Sequence, residues 1–189
     1  SSQAFDITPH ALAMSHFLLR HPDAQNFGRK FKIAFSGCEE KPCALAMIHD
    51  IGAIAAIKEV KGRKTEGFKV YIGGGLGAIP QQAELYKDFV PANEMLPLAQ
   101  AIPRTLIRFG EKKNRGRARL KFLIGKLGIN EFRRIVEEER LKLPSDSRWE
   151  RELQEALTYD EQPLRPPSSL PSEPRDQEFA RWLKSNVRA

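Results

Sequence analysis

Residues 29–37 impose the strongest constraint on what this chain can fold into. They read Arg-Lys-Phe-Lys-Ile-Ala-Phe-Ser-Gly, so large apolar side chains alternate with polar or small ones. This period of two predicts a half-buried β-strand. Lys30 and Lys32 would share its polar face, roughly 7 Å apart at the usual rise per residue. Two ammonium groups this close repel each other unless an anion lies between them. A solvated strand face is the alternative interpretation.

The patterns around this segment predict an α+β fold. Thr8, as N-cap, and Pro9 begin an amphipathic helix over residues 9–20. Residues 53–60 and 67–72 alternate around a short polar loop and predict a hairpin. Further helices are expected over residues 94–109, 115–127 and 129–142. We therefore expect a mixed or antiparallel sheet covered by helices.

Composition changes after Pro144 and divides the chain. Residues 1–143 are expected to form one domain, and residues 144–176 an extended linker with a short helix near Trp149 and a proline-rich stretch. The chain has no initiating Met and stops within a helical pattern, so we expect it to be a fragment.

The charge points to an anionic partner. The chain has 31 Lys and Arg against 24 Asp and Glu, a net charge of +7. Such a surplus suits nucleic acid, an acidic membrane or a polyanionic small molecule. No apolar run reaches the length of a membrane span, and the N-terminus does not resemble a signal peptide. These features favour a cytoplasmic protein that does not enter membranes.

Residues 73–78 read Gly-Gly-Gly-Leu-Gly-Ala, which satisfies the dinucleotide-binding pattern G-x-G-x-x-A. That function requires a helix to open at the glycines within a βαβ unit, whereas here they follow an apparent hairpin. A glycine turn with positive φ is the simpler interpretation.

A dense basic run spans residues 104–121. If residues 115–127 form a helix, Arg115 shares a face with Arg119, and Arg117 with Lys121. The run fits a solvated face or a nucleic-acid surface, with RNA as the expected nucleic acid. Against RNA, it lacks an aromatic platform beyond Phe109 and Phe122 and any zinc-finger or RNP1 pattern.

Cys38 and Cys43 are the only cysteines. A structural zinc or iron–sulfur site needs about four ligands, so this chain alone cannot assemble a thiolate cluster. We expect two ordinary, partly buried thiols and no metal site. His10, His16 and His21 are expected to have surface roles rather than catalytic ones.

The order of several motifs resembles the siroheme-dependent sulfite and nitrite reductases between about residues 8 and 140. These motifs are residues 29–37, His-Asp-Ile-Gly at 49–52, residues 67–77, Phe-Val-Pro at 89–91, residues 114–123 and Leu-Gly at 127–128. Those enzymes contain two related halves, each with a ferredoxin-like part and a siroheme-fold part. This chain resembles the later portion of the first siroheme-fold half, and residues 177–189 resemble the opening of the second ferredoxin-like half.

The resemblance implies six-electron reduction of sulfite to sulfide or of nitrite to ammonia by a longer protein containing siroheme and a 4Fe-4S cluster. It assigns catalysis to Lys30 and Lys32, which reach the distal face of the siroheme, and places Arg119 at the same cavity as Lys30. The cofactor-binding residues it implies are Arg29, Gly73, Gly74, Gly75, Arg115, Arg119 and Lys121. The glycines would let the backbone approach the macrocycle, with free N–H groups facing its carboxylates.

The same resemblance puts the cluster ligands in the second half and the siroheme between the halves. The fragment alone is then expected to be inactive, to hold neither cofactor, and to dimerise through its uncovered seam. The electron donor would be a ferredoxin or a flavoprotein. Two alternatives remain open: a basic RNA-binding module, and a structural half-domain without an active site.

Overall fold

The computed structural model describes residues 3–25, 29–40, 42–160, 162, 164–165 and 175–186. The chain divides after Tyr159 into two compact units. The elements of the first unit are α1 (Thr8–Leu18), β1 (Ile33–Ser36), β2 (Ile51–Val60), β3 (Arg63–Ile72), β4 (Glu84–Pro91), α2 (Met95–Phe109), α3 (Leu120–Leu127), α4 (Ile129–Leu141) and α5 (Arg148–Thr158). The second unit contains α6 (Gln177–Asn186).

The four strands form one mixed sheet in the order β1-β2-β3-β4. β1 runs parallel to β2, and the other pairs are antiparallel. The predicted hairpin is β2 and β3, joined by Lys61 and Gly62, whose positive φ values of 52° and 75° suit a two-residue turn. The expected α+β fold with a mixed sheet is confirmed.

Phe68, in the middle of β3, is the centre of the core and has no exposed surface. Its ring makes edge contacts with Phe5, His10 and Phe35 at centroid distances of 5.4, 5.3 and 5.3 Å. Edge-to-face packing of this kind adds to the burial energy of each ring. Phe68 thereby ties the strand predicted to carry the lysines to the N-terminal segment and α1.

The beginning of α1 differs from the prediction. Thr8 is the first helical residue rather than the N-cap, and Ile7 precedes it without a side-chain cap. Instead, the Thr8 N–H donates to the Asp6 carboxylate at 2.9 Å. That hydrogen bond lowers the pKa of Asp6, because it stabilises the charged form.

The predicted helix over residues 115–127 begins later, at Leu120. Arg115–Arg117 form one 3₁₀ turn instead. Side chains hold this loop, since Glu111 accepts the N–H groups of Lys113 and Asn114 and Asn114 accepts that of Gly116. The helical pairing of Arg115 with Arg119, and of Arg117 with Lys121, is therefore wrong. Gly128, with φ of 77°, does end α3.

Helix α5 contradicts the predicted start of the linker at residue 144. It packs against α1, and Trp149 donates its indole N–H to Gln100 of α2 at 3.0 Å. Buried Ala156 and partly buried Leu153 complete the contact with the core. Residues 144–159 therefore belong to the first unit, and most of the proline-rich stretch lies outside the described residues.

His21 lies inside the α1–α5 contact and not on the surface, contrary to its predicted role; it is 3% exposed. Its Nδ1 lies 3.1 Å from the backbone N–H of Asp23, and its Nε2 lies 3.1 Å from Nη2 of Arg148 in α5. Both of these neighbours are donors, and a neutral imidazole has one acceptor nitrogen, so His21 accepts one of the two hydrogen bonds. Burial lowers the pKa of His21, and the charge of Arg148 lowers it further. Asp23 and Asp146 oppose this shift, while Arg104 adds to it. A protonated imidazole could accept neither hydrogen bond.

Acid should therefore loosen α5. The folded state holds the pKa of His21 below its unfolded value of 6.5, so protonation favours unfolding as the pH falls below that value. We expect the hydrogen-exchange protection of α5 amides, corrected for intrinsic rates, to fall between pH 7.5 and pH 5.5. His21→Gln should flatten this dependence, whereas His16→Gln, at an exposed position of α1, should leave it unchanged. Identical profiles for all three proteins would contradict this role of His21.

Candidate anion and cofactor site

Three strand ends meet at one end of the sheet and position the candidate site. Ile33 at the start of β1 pairs with Ile51 at the start of β2, which pairs with Ile72 at the end of β3. The segments that precede or follow these residues therefore emerge side by side. They carry the lysines before β1, Asp50 before β2 and the glycines after β3.

An open cavity of about 700 Å³ lies at this end of the sheet. Its walls come from residues within the segments 29–32, 48–49, 76–79 and 114–122, although not every residue of these segments takes part, and none of the lining residues is acidic. The cations that line it are Arg29, Lys30, Lys32, Arg117, Arg119 and Lys121. Such a concentration of positive charge makes an anionic ligand the natural occupant.

The two lysines are exposed at this cavity, but the strand that follows them is shorter than predicted. β1 begins at Ile33, because the Lys32 N–H donates to the Asp50 carboxylate at 3.0 Å rather than to a neighbouring strand. Lys30 and Lys32 both line the cavity together with Arg119. Lys30 and Arg119 therefore share one cavity, as expected.

Asp50 is the buried counter-ion beneath the cavity. One of its oxygens, Oδ2, accepts both the Lys32 N–H and Nη2 of Arg119, the latter at 2.8 Å. The Asp50 side chain is 1% exposed and that of Arg119 is 15% exposed. Burial raises the pKa of Asp50, and the charge of Arg119 opposes that rise. Within the described residues, Oδ1 of Asp50 and Nε of Arg119 have no hydrogen-bond partner.

Lys121 lines the cavity from α3 but is only 3% exposed. Its ammonium donates to the Ile79 carbonyl, which ties α3 to the loop after the glycines. Burial lowers the pKa of Lys121, the charge of Arg119 lowers it further, and Asp50 opposes both effects. One of its three donors is thus committed to the protein.

The prediction of free glycine N–H groups is wrong. Gly73, Gly74 and Gly75 donate to the carbonyls of Asp50, His49 and Gln81 at 2.9–3.0 Å. All three are buried and do not line the cavity, which is bounded instead by residues 76–79. The dinucleotide interpretation also fails, because the chain continues into an isolated bridge and then β4 rather than into a helix.

Close packing explains why these positions are glycine. A Cβ on Gly74 would lie 2.6–2.8 Å from the backbone of Met47 and His49, and one on Gly75 would lie 2.8 Å from Nη1 of Arg119. Their role in this structure is to bring the loop close to its neighbours.

Of the remaining predicted residues, Arg29 lines the cavity and Arg115 does not. The two are neighbours nonetheless, because Arg29 donates its Nε–H to the Arg115 carbonyl at 2.8 Å. Sequence reasoning did not assign Asp50 or Arg117 to the site. The available signal for Asp50 was a lone acid directly before an apolar strand.

Cys38 and Cys43 are free thiols, the second exposed. The Cys43 N–H donates to the Ser36 hydroxyl at 3.1 Å. Across the described ranges, no group of three His, Cys, Asp or Glu residues is arranged to hold a metal ion. In the same part of the chain, no helix is both long and apolar enough to cross a membrane.

Comparison with known proteins identifies the family. The model of the nitrite and sulphite reductase 4Fe-4S domain matches residues 1–144. The chain belongs to the nitrite and sulphite reductase family. A sulfite reductase [ferredoxin] of Mycobacterium tuberculosis H37Rv is 33% identical over 123 residues, which are 65% of this chain and 21% of that protein. An assimilatory ferredoxin-dependent nitrite reductase of Haloferax mediterranei is 36% identical over 148 residues, 75% of this chain and 24% of that protein.

The solved structure of the Mycobacterium tuberculosis NirA protein has the same fold. It matches with a TM-score of 0.59 and 30% identity, over 71% of this chain and 24% of that one. The chain thus spans about a quarter or less of each of these reductases. The family assignment made from the ordered motifs is confirmed.

Proposed function

We propose that this chain supplies part of the anion- and siroheme-binding site of a longer reductase, which converts sulfite to sulfide or nitrite to ammonia. The observation that carries the proposal is the cavity of about 700 Å³ with six cations and no acid on its wall. Membership of the nitrite and sulphite reductase family supports it. Both candidate substrates are small anions, which this charge attracts.

The donor set of the cavity fits a carboxylate-rich macrocycle. Arg29 and Arg117 are exposed on its wall, and Arg119 presents the rest of its guanidinium beside Asp50. Arginine binds carboxylates in a planar, bidentate manner. Bound siroheme would supply an iron that receives electrons and holds the substrate. We assign Arg29, Arg117 and Arg119 to its carboxylates, and no longer Arg115.

A 4Fe-4S cluster does not fit this chain. About four thiolates are needed, and the sequence contains two cysteines. We therefore place the cluster in the remainder of the longer protein and derive no step through it here. We also propose that α6 begins the second half of that protein. That half would supply the cluster ligands and the rest of the siroheme site.

Lys30 and Lys32 are the residues that we assign to catalysis. Their ammonium groups attract the oxyanion and stabilise the negative charge that grows on each oxygen as its bond to sulfur or nitrogen breaks. Each departing oxygen leaves as water and so takes up two protons. The lysines can deliver protons from Nζ and recover them from solvent, to which both side chains are exposed.

The electron donor that we propose is a ferredoxin, as named for the Mycobacterium and Haloferax relatives. A flavoprotein is the alternative. RNA binding is less well supported, because the basic run contains no aromatic residues beyond Phe109 and Phe122 on which bases could stack. The alternative of a structural half-domain without an active site does not explain why two exposed lysines, Lys30 and Lys32, line one cavity.

Cofactor content tests the proposal. The longer protein should show a Soret band and stoichiometric siroheme iron, and it should reduce sulfite or nitrite with reduced ferredoxin. The 189-residue chain purified alone should show neither band nor iron, because it holds only part of the cofactor's surroundings and two thiols. A Soret band with stoichiometric iron on the isolated chain would contradict a site shared with the rest of the protein. A longer protein without siroheme would overturn the proposed function itself.

A further inference from the structure

We propose that Asp50 and Gly75 are positioning residues that together fix the Arg119 guanidinium at the cavity. This inference rests on the proposed function, because it concerns how the same site holds its anionic ligand. Neither residue is a catalytic group. Asp50 holds the guanidinium through an ion pair, and Gly75, which has no side chain, leaves room for the guanidinium.

The contribution of Asp50 comes from one buried oxygen. Oδ2 binds Nη2 of Arg119 at 2.8 Å and the Lys32 N–H at 3.0 Å. The Asp50 carboxylate therefore links Arg119 to the backbone of Lys32, a proposed catalytic residue. Without it, Arg119 would have no compensating charge beside Lys121, whose pKa the charge of Arg119 lowers, because like charges repel.

The contribution of Gly75 is steric. A Cβ built on it would lie 2.8 Å from Nη1, 3.0 Å from Cζ and 3.0 Å from Nη2 of Arg119. The guanidinium thus occupies the space that a side chain at position 75 would need. Gly75 is not among the glycines with positive φ, so alanine is compatible with its backbone, and the group that must yield is the end of a flexible side chain. Gly75→Ala should therefore displace Arg119 while leaving the fold and Asp50 in place.

The ion pair also leaves a matched donor and acceptor unused. Nε of Arg119 and Oδ1 of Asp50 have no partner among the described residues. These are the two atoms that a side-on bidentate pair would join in addition to Nη2 and Oδ2. The ion pair therefore contains a single hydrogen bond. Because one hydrogen bond leaves the guanidinium free to turn, the space beside Gly75 also determines where it lies.

The sign of one substitution separates positioning from simple electrostatics. Asp50→Asn removes a negative charge below a cationic cavity, so by electrostatics alone it should strengthen anion binding. If Asp50 positions Arg119, the same change should weaken anion binding, because a neutral amide can offer the guanidinium a carbonyl acceptor but no ion pair. Gly75→Ala changes no charge, so it should weaken anion binding only by displacing the Arg119 guanidinium.

The first experiment measures inorganic sulfate binding to the 189-residue chain by NMR titration at low ionic strength. We expect Asp50→Asn and Gly75→Ala each to raise the sulfate Kd about tenfold, the usual scale for losing one charge-assisted contact. Asp88→Asn removes an exposed acid of β4 paired with Lys58, and Gly125→Ala adds a Cβ into open space on α3. Both controls should leave the Kd unchanged. Tighter binding by Asp50→Asn, or unchanged binding by Gly75→Ala in a folded chain, would overturn the proposal.

The second experiment uses the longer protein and measures siroheme bound per chain. Gly75→Ala should lower siroheme occupancy, whereas Gly125→Ala should not. If the wild-type protein binds no siroheme, the proposed function fails while the sulfate titration still decides the positioning role. If the wild type is loaded and Gly75→Ala is loaded equally, the positioning role is wrong and the proposed function stands.

Discussion

Lys32→Ala in the longer reductase is expected to lower turnover about 100-fold, the scale seen when one preorganised group that stabilises transition-state charge is removed. The apparent KM for sulfite or nitrite should rise as well, because the exposed ammonium also attracts the anion to the cavity. Siroheme content should stay nearly intact, since the carboxylate-binding arginines are unchanged. Steady-state kinetics with reduced ferredoxin, together with the absorption spectrum, measure all three quantities.

Lys58 provides a matched control for this prediction. It is a lysine of the same sheet, but it lies near the hairpin turn, where it pairs with exposed Asp88. Lys58→Ala should leave both turnover and KM unchanged. Unchanged kinetics for Lys32→Ala would remove Lys32 from the mechanism.

Phe68→Ala should have the largest effect on stability. The side chain is fully buried and contacts three other rings, and truncating such a phenylalanine costs about 3–5 kcal/mol. That is a large share of the roughly 5–15 kcal/mol by which small proteins are stable. Denaturant unfolding of the 189-residue chain, followed by far-UV circular dichroism, gives the difference in the free energy of unfolding.

Leu141→Ala is the control for this stability effect. Leu141 ends α4 and is 87% exposed, so its truncation should change the free energy of unfolding by less than about 0.5 kcal/mol. A loss below about 1 kcal/mol for Phe68→Ala would contradict the placement of this ring at the centre of the core.

The parts of the fold that the sequence predicted well are those fixed by local periodicity. The alternation in residues 67–72 buries Phe68, Val70 and Ile72 on the core side of β3, and a polar two-residue turn closes its hairpin. Gly128 ends α3 where a C-cap glycine was expected. Each of these features depends on side chains that are close together in the sequence.

The errors at β1 and α5 arise where a distant side chain decides the backbone. β1 starts at Ile33 because the Lys32 N–H goes to Asp50. Helix α5 joins the first unit through Trp149 and His21, whose partners lie on other helices. The late start of α3 has a local cause, because Glu111 and Asn114 hold the preceding loop by hydrogen bonds to residues two or three positions away.

The candidate site was also predicted only in part. The resemblance brought Lys30 and Arg119 to one cavity, since it carries information on tertiary structure that spacing does not. It also led to the assignment of free N–H groups to Gly73, Gly74 and Gly75, which the backbone hydrogen bonds contradict. Asp50 was missed because its importance comes from burial beneath the cations, and burial of a single acid cannot be read from its neighbours in the sequence.

The most direct test of the central claim is an experimental structure of the longer protein with siroheme and with sulfite or nitrite bound. The account predicts that the siroheme carboxylates contact Arg29, Arg117 or Arg119. It also predicts that the anion lies within hydrogen-bond distance, about 3 Å, of Nζ of Lys30 or Lys32. Siroheme bound away from this cavity, with Lys30 and Lys32 facing only solvent, would contradict it.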